Sequence, residues 1–168
     1  TYGQALSAIK LSGKLHDNVN NKDVEGMFTW ADGTVKPSAG SYEAAWKFTP
    51  TDGGTYAETT GTVTLTVSKA TPTGEPTCTK ITTSGKTLAD APLAIGTIAP
   101  AGGTLTWDMP ANTVVAANTA YGWTYTPADT ANYKALTGSL TPYAVSSGGG
   151  GGGSSAATPS VSDKAAKE

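Results

Sequence analysis

Trp46-Lys47-Phe48-Thr49-Pro50-Thr51-Asp52 recurs as Trp123-Thr124-Tyr125-Thr126-Pro127-Ala128-Asp129. In both stretches aromatic residues alternate with Lys or Thr, and a proline then interrupts. Successive side chains of a β-strand point to opposite faces, so this alternation puts the rings on one face and polar groups on the other. Val63, Leu65 and Val67 alternate with Thr62, Thr64 and Thr66 in the same way. Met27-Phe28-Thr29-Trp30 and Leu105-Thr106-Trp107 read as further short strands. Turn residues recur at roughly the 8–12-residue spacing of a sandwich or barrel. Leu88-Ala89-Asp90-Ala91 is a weak helical signal, cut off by Pro92. The fold class is all-β.

The recurrence extends beyond the quoted stretch. Gly26 to Trp30 matches Gly103 to Trp107, Tyr56 matches Tyr133 and Gly61 matches Gly138. The differences 107 − 30, 123 − 46, 133 − 56 and 138 − 61 all give 77, as a duplication requires. Upstream, Gly3-Gln4-Ala5-Leu6-Ser7 matches Gly85-Lys86-Thr87-Leu88-Ala89 at an offset of 82. The first copy therefore carries five extra residues, expected in the polar stretch His16 to Asp23. Lys69-Ala70-Thr71-Pro72-Thr73-Gly74 marks the boundary, because Pro and Gly stop a strand. The expected units are residues 1–69, residues 70–145 and a tail at 146–168. The tail is Gly/Ser-rich and cannot bury enough apolar surface to offset the entropy of ordering, so it reads as a flexible linker. The expected core is Leu6, Phe28 or Trp30, Trp46, Phe48, Tyr56, Val63, Leu65 and Val67, with their counterparts. Trp46 and Trp123 are expected to be buried at equivalent places.

Composition narrows the function. The 168 residues have a formal net charge of -2, and lysine supplies all the positive charge, since arginine is absent. Neither nucleic acid nor an anionic membrane surface is the expected partner, because both call for basic clusters. Cys78 is the single cysteine and His16 the single histidine. An internal disulfide is thereby excluded, as are the common His/Cys metal sites. The chain begins at Thr1 without methionine or a signal peptide, and is expected to be a piece of a longer protein.

Several stretches together resemble a known family. They are Thr1-Tyr2-Gly3-Gln4-Ala5-Leu6-Ser7, Phe28-Thr29-Trp30, the Trp46 to Asp52 stretch, Tyr56, and Thr60 through Pro72. The second copy, with Thr126-Pro127-Ala128-Asp129-Thr130-Ala131-Asn132-Tyr133, is equally similar. The pattern resembles the tandem bacterial immunoglobulin-like repeats of Gram-positive cell-surface proteins. The resemblance covers about residues 1–145 and implies two tandem small immunoglobulin-like β-sandwich domains in an extracellular parent, with no catalytic residues. Asp129-Thr130-Ala131-Asn132-Tyr133 resembles the tyrosine corner of such sandwiches, and Asp52 and Tyr56 keep its spacing. That corner implies a turn ordered by Asp and a Tyr hydroxyl bonded to backbone. Pro142 departs from the pattern, since proline cannot donate to a ladder, and puts pairing of the last strand in question.

Other motifs weigh less than their ordinary readings. Ser84-Gly85-Lys86-Thr87 looks like the end of a phosphate loop, but Lys80 stands where the first glycine belongs, so a polar turn is expected. Asp17 and Asn21 fit calcium-loop positions one and five, yet Val19 and Lys22 occupy positions that calcium binding would give to an oxygen ligand and a glycine. A solvated hairpin is the simpler reading. Asp32, Glu43, Asp52 and Glu58 recur only loosely, as Asp129 and Asp108, which disfavours paired-carboxylate catalysis. No Gly-x-Ser-x-Gly elbow is present. The Thr62, Thr64, Thr66 row reads as a half-exposed strand face. Trp30 and Trp107 read as packing residues before sugar platforms. Lysines for an isopeptide crosslink exist, but no pattern singles one out. Cys78 reads as a free, unreactive thiol. No catalytic, cofactor-binding or metal-binding residue is assigned.

The expected function is a non-catalytic spacer, located extracellularly on the cell surface or cell wall. The alternative is an adhesive or carbohydrate-binding module using loops or an exposed Trp. Expected partners are neighbouring repeats of the same chain, with a cell-wall or host glycan or protein as the further option. Nucleic acid, membrane contact and cofactors are not expected, and the chain is expected to be monomeric.

Overall fold

The computed structural model describes residues 1–146. The expectation of flexibility at 146–168 falls, past residue 146, outside the described residues. The described residues are all-β, with strands arranged in several antiparallel sheets. The first half contains β1 (Leu15–Asp17), β2 (Lys22–Val24), β3 (Gly26–Trp30), β4 (Gly40–Pro50) and β5 (Thr59–Val67). The second contains β6 (Thr77–Cys78), β7 (Leu93–Ala94), β8 (Thr104–Trp107), β9 (Tyr121–Thr126) and β10 (Leu136–Leu140). Two single 3-10 turns, Leu6–Ala8 and Leu88–Asp90, take the place of helices.

Strand pairing preserves the duplication. The order β3-β4-β5 in one sheet corresponds to β8-β9-β10 in the other. Phe28 faces Phe48 and Trp30 faces Trp46, while Leu105 faces Tyr125 and Trp107 faces Trp123. Trp46 faces Gly61 and Trp123 faces Gly138. A Cβ built on either glycine would fall onto the facing indole, so glycine is required there by close packing. The 82-offset stretches correspond as well. Gly3 and Gly85 share a left-handed φ, +89° and +79°, and each precedes its 3-10 turn. Leu6 and Leu88 are both buried at the start of that turn. The Leu6 and Ser7 N–H groups bond to the Val35 and Gly33 carbonyls, just as those of Leu88 and Ala89 bond to Thr113 and Ala111.

Alternation decides which side chains turn inward. Along β4, Ala44, Phe48 and Pro50 are buried, whereas Ser41, Glu43 and Thr49 are exposed. Phe28 lies edge-on to Trp46 at 5.2 Å and tilted against Phe48 at 4.7 Å, a geometry that aromatic quadrupoles favour. The inner face of the second sheet carries Trp123 and Tyr125, packed with Ile98.

The expected core needs correcting: Phe28, Trp30, Tyr56, Leu65 and Val67 are half-buried, and Ala144, the counterpart of Val67, is exposed. Val63 is 38% exposed, and Trp46 is half-buried where Trp123 is 4% exposed. Ala44, Ile81, Ala91, Ile98 and Val115 are buried and were not anticipated. Of the ten buried apolar residues other than proline among those described, Leu6, Ala44 and Phe48 precede residue 70; in the second half Thr77–Cys78 pairs with Leu93–Ala94, and Ile81 packs with Leu88, Ala91 and Val115. Pairing along β10 ends at Leu140, and Pro142 lies beyond it, fully buried, with its carbonyl accepting the Ile81 N–H at 2.9 Å. The last strand therefore does pair, over Leu136–Leu140, and the pairing stops short of Pro142. The matching strand β5 runs uninterrupted to Val67.

Candidate functional site: the junction between the repeats

Residues that join the two halves form an extended polar arrangement. Asp129 begins a tight turn in which its main-chain carbonyl accepts the Tyr133 N–H at 3.0 Å. The Asp129 carboxylate accepts the Asn132 main-chain N–H at 3.1 Å and its side-chain amide at 2.9 Å. Short polar side chains favour such local turns. Locked in this way, Asn132 presents two acceptors to the first half. Its Oδ1 accepts the Ala39 N–H at 2.8 Å, and its main-chain carbonyl accepts the Ala70 N–H at 2.9 Å. The Ala70 carbonyl then accepts the Lys134 N–H at 2.8 Å, so Ala70 and Tyr133 form a parallel bridge. Lys69 Nζ donates to the Thr130 carbonyl at 2.6 Å. Tyr133 meets Tyr2 edge-on, with ring centroids 5.4 Å apart. Thr73 and Ala99 exchange two main-chain bonds just beyond. The stretch Lys69 to Thr73, anticipated as a connector, is therefore bonded to the second repeat almost as soon as it leaves β5.

The equivalent corner of the first repeat is used differently. The main-chain carbonyl of Asp52 accepts the Tyr56 N–H at 3.0 Å, and its carboxylate accepts the N–H groups of Gly54 and Thr55. The Thr55 side chain, together with these N–H groups, holds the Asp52 carboxyl below the usual range. The expected Asp-ordered turn is thus present in both copies. The Tyr hydroxyl departs from expectation: Tyr56 donates to Asp17 Oδ2 at 2.9 Å, not to backbone. The reason is the β1–β2 hairpin, which lies over this corner and carries the five extra residues.

No family model, curated protein or solved structure matches the chain. Its chemistry must be read from the residues themselves.

The hairpin is self-satisfied. Asp17 accepts the N–H groups of Val19 and Asn20, the Asn20 amide and the Tyr56 hydroxyl, which together drive its carboxyl far below the usual range. Those are the oxygens a calcium ion would need. His16 lies between Asp23 Oδ1 at 3.1 Å and Asn21 Oδ1 at 3.3 Å, and both acceptors raise its pKa. Among the described residues no group of three or more His, Cys, Asp or Glu could hold a metal ion.

The other motifs resolve into local structure. Gly85 turns the chain into the Leu88–Asp90 turn, where the Thr87 N–H and hydroxyl both donate to Asp90. Lys86 lies 3.5 Å from Asp90. Asp32 accepts from Thr34, Asp108 from Thr124, and Glu58 from Lys47 and Thr49. Hydrogen bonds lower the carboxyls of Asp32 and Glu58, opposite to the upward shift a general acid requires. Glu43 is exposed opposite Thr64, and Thr62, Thr64 and Thr66 form an exposed row. Trp30 and Trp107 are half-buried, and their indole N–H groups donate to the Ile9 and Ala91 carbonyls at 2.9 and 3.0 Å. Cys78 pairs with Leu93, and burial raises its thiol pKa while Lys80 partly opposes the rise.

Sequence reasoning missed the junction residues Tyr2, Ala39, Lys69 and Asn132. A signal was present. Asp129-Thr130-Ala131-Asn132-Tyr133 differs from Asp52-Gly53-Gly54-Thr55-Tyr56 at its three central positions, and Asn132 alone of those carries both an acceptor and a donor amide.

Proposed function

We propose that the chain is a pair of tandem immunoglobulin-like β-sandwich modules, residues 1–69 and 70–145, acting as a non-catalytic spacer in an extracellular bacterial surface protein. The junction carries this reading. A spacer must transmit position from one module to the next, so its connector must be short and held. Here Lys69 and Ala70 are bonded to the following corner, and Ala39 and Tyr2 add contacts from elsewhere in the first repeat. Such groups resist hinge motion more than a free Gly/Ser linker does. The half-buried, backbone-bonded state of Trp30 and Trp107 favours the spacer over a glycan-stacking module. Residual dipolar couplings measured on both repeats test the proposal. One alignment tensor fitting both is expected. Two independent tensors would overturn it.

A further inference from the structure

The second repeat has an open slot between two stretches of backbone that face each other without bonding. One wall is β10, Leu136 to Leu140, the other is Gly74 to Pro76, and Trp123 lies between them around a space of about 250 Å³. The Gly74 to Pro76 wall is tied away from β10. The Glu75 N–H donates to Thr97 Oγ1 at 3.0 Å, and the Glu75 carbonyl accepts the Thr97 N–H at 3.0 Å. Gly74 has φ +94°, and a Cβ there would meet the Thr97 carbonyl. On the opposite wall β10 pairs with β9 alone, and among the described residues no other main-chain bond reaches Leu136 to Leu140. Its sequence, Leu-Thr-Gly-Ser-Leu, has none of the charges or prolines that usually blunt an edge strand. A second observation points to a ligand. Trp123 is 4% exposed, and its Nε1–H is a buried donor with no partner among the described residues. Buried indole N–H groups ordinarily find one, as those of Trp30 and Trp107 do. Cε2, the ring carbon next to Nε1, lies over Gly138, the middle of the β10 wall, where no side chain intervenes. The slot is several times the roughly 30 Å³ that one water occupies in the liquid.

We infer that the outer edge of β10 is a docking site for an extended peptide strand of a partner protein, one that carries an uncharged acceptor side chain flanked at alternate positions by two aliphatic ones. Residues opposite one another on paired strands share a face and touch. An aliphatic side chain packs opposite Leu136 and another opposite Leu140, and between them a hydroxyl opposite Gly138 reaches Trp123 Nε1. A carboxylate in the place of that hydroxyl is disfavoured by Glu75, the one charged residue lining the slot. Strand addition of this kind draws affinity from main-chain bonds and selectivity from alternate side chains.

The test uses the peptide acetyl-Thr-Val-Lys-Thr-Lys-Val-Thr-amide, in which Val, the central Thr and Val share one face. It is titrated to millimolar concentration into the 15N-labelled chain, beside a version with the central Thr replaced by Val and a version N-methylated at every residue. Saturable shifts are expected at the Trp123 indole N–H and at the amides of Leu136 to Leu140. The Val version is expected to bind ~3–10-fold more weakly, the worth of one hydrogen bond, and the N-methylated version not at all. Trp123→Phe keeps a buried ring and deletes the donor, so it is expected to bind the Thr and Val versions equally. Absence of a saturable shift at these positions would overturn the inference, as would equal binding of all three peptides by the unaltered chain. So would the same shifts on concentrating the chain by itself, because a second copy would then be the occupant.

Discussion

Single residues carry the duplication most sharply where no side chain is tolerated. Gly61 and Gly138 lie under the facing rings of Trp46 and Trp123, and a methyl group at either would meet indole carbon. Gly61→Ala and Gly138→Ala should each destabilise their own repeat by ~1–3 kcal/mol, the usual penalty of overpacking. Chemical denaturation with Trp fluorescence measures it. Gly138→Ala should cost more, because Trp123 is buried and cannot tilt away as half-buried Trp46 can. Equal, negligible losses would show that the rings move freely. Cys78 gives a second expectation at this scale. Partial burial raises its pKa, and thiolate is the reactive form. Alkylation by iodoacetamide at pH 8 should therefore be slower than for a free cysteine, and should reach the free rate on unfolding. Full-rate labelling of the folded chain would contradict it.

At the scale of elements, the strands were legible and their depth was not. Alternation in Trp46 to Pro50 and Thr62 to Val67 located β4 and β5, since period two survives any tertiary context. Depth depends on what covers a face. Val63 alternates as regularly as Leu65, yet it is exposed, and nothing in its own stretch distinguishes the two. The 3-10 turn at Leu6–Ala8 gave no helical period because three residues are too few to show one. The His16 to Asp23 insertion read correctly as a hairpin, but its bond to Tyr56 joins residues 39 apart in sequence, beyond the reach of local patterning. That hairpin should respond to pH. His16 has a raised folded pKa, so its contribution is fully present below about pH 6.5 and fades as pH rises through the folded value. Asp17 and Asp23 have lowered folded pKa values, so theirs is present above about pH 4 and fades as pH falls. Hairpin amide protection should consequently be greatest between about pH 4.5 and 6. Asp23→Asn should return the His16 titration midpoint, read by NMR, toward that of an exposed histidine. An unchanged midpoint would remove Asp23 as the cause.

For the whole molecule, mechanical continuity rests on a few main-chain bonds at one corner. Asn132 is central because it accepts from Ala39 and Ala70 by separate oxygens, while Asp129 fixes its orientation. Ala70→Pro deletes the N–H that Asn132 receives, and leaves both repeat cores untouched. Asn132→Ala deletes the acceptor for Ala39 and the tie to Asp129. Each change removes hydrogen bonds worth ~0.5–1.5 kcal/mol apiece, small against the stability of a folded unit but large against the few contacts that set the angle between repeats. Both variants should keep the sheet signals of each repeat, while 15N relaxation shows the two repeats tumbling with separate correlation times. The double variant should lengthen neither repeat's relaxation further, because the two substitutions break one shared bonded unit and their effects should not add. Persistent common tumbling in the double variant would place the coupling in the links that remain: the Lys69 bond to the Thr130 carbonyl, the Lys134 N–H bond to the carbonyl of residue 70, and the Tyr2–Tyr133 ring contact. Tyr2→Ala and Lys69→Ala in the same background would then show which of these links carries it.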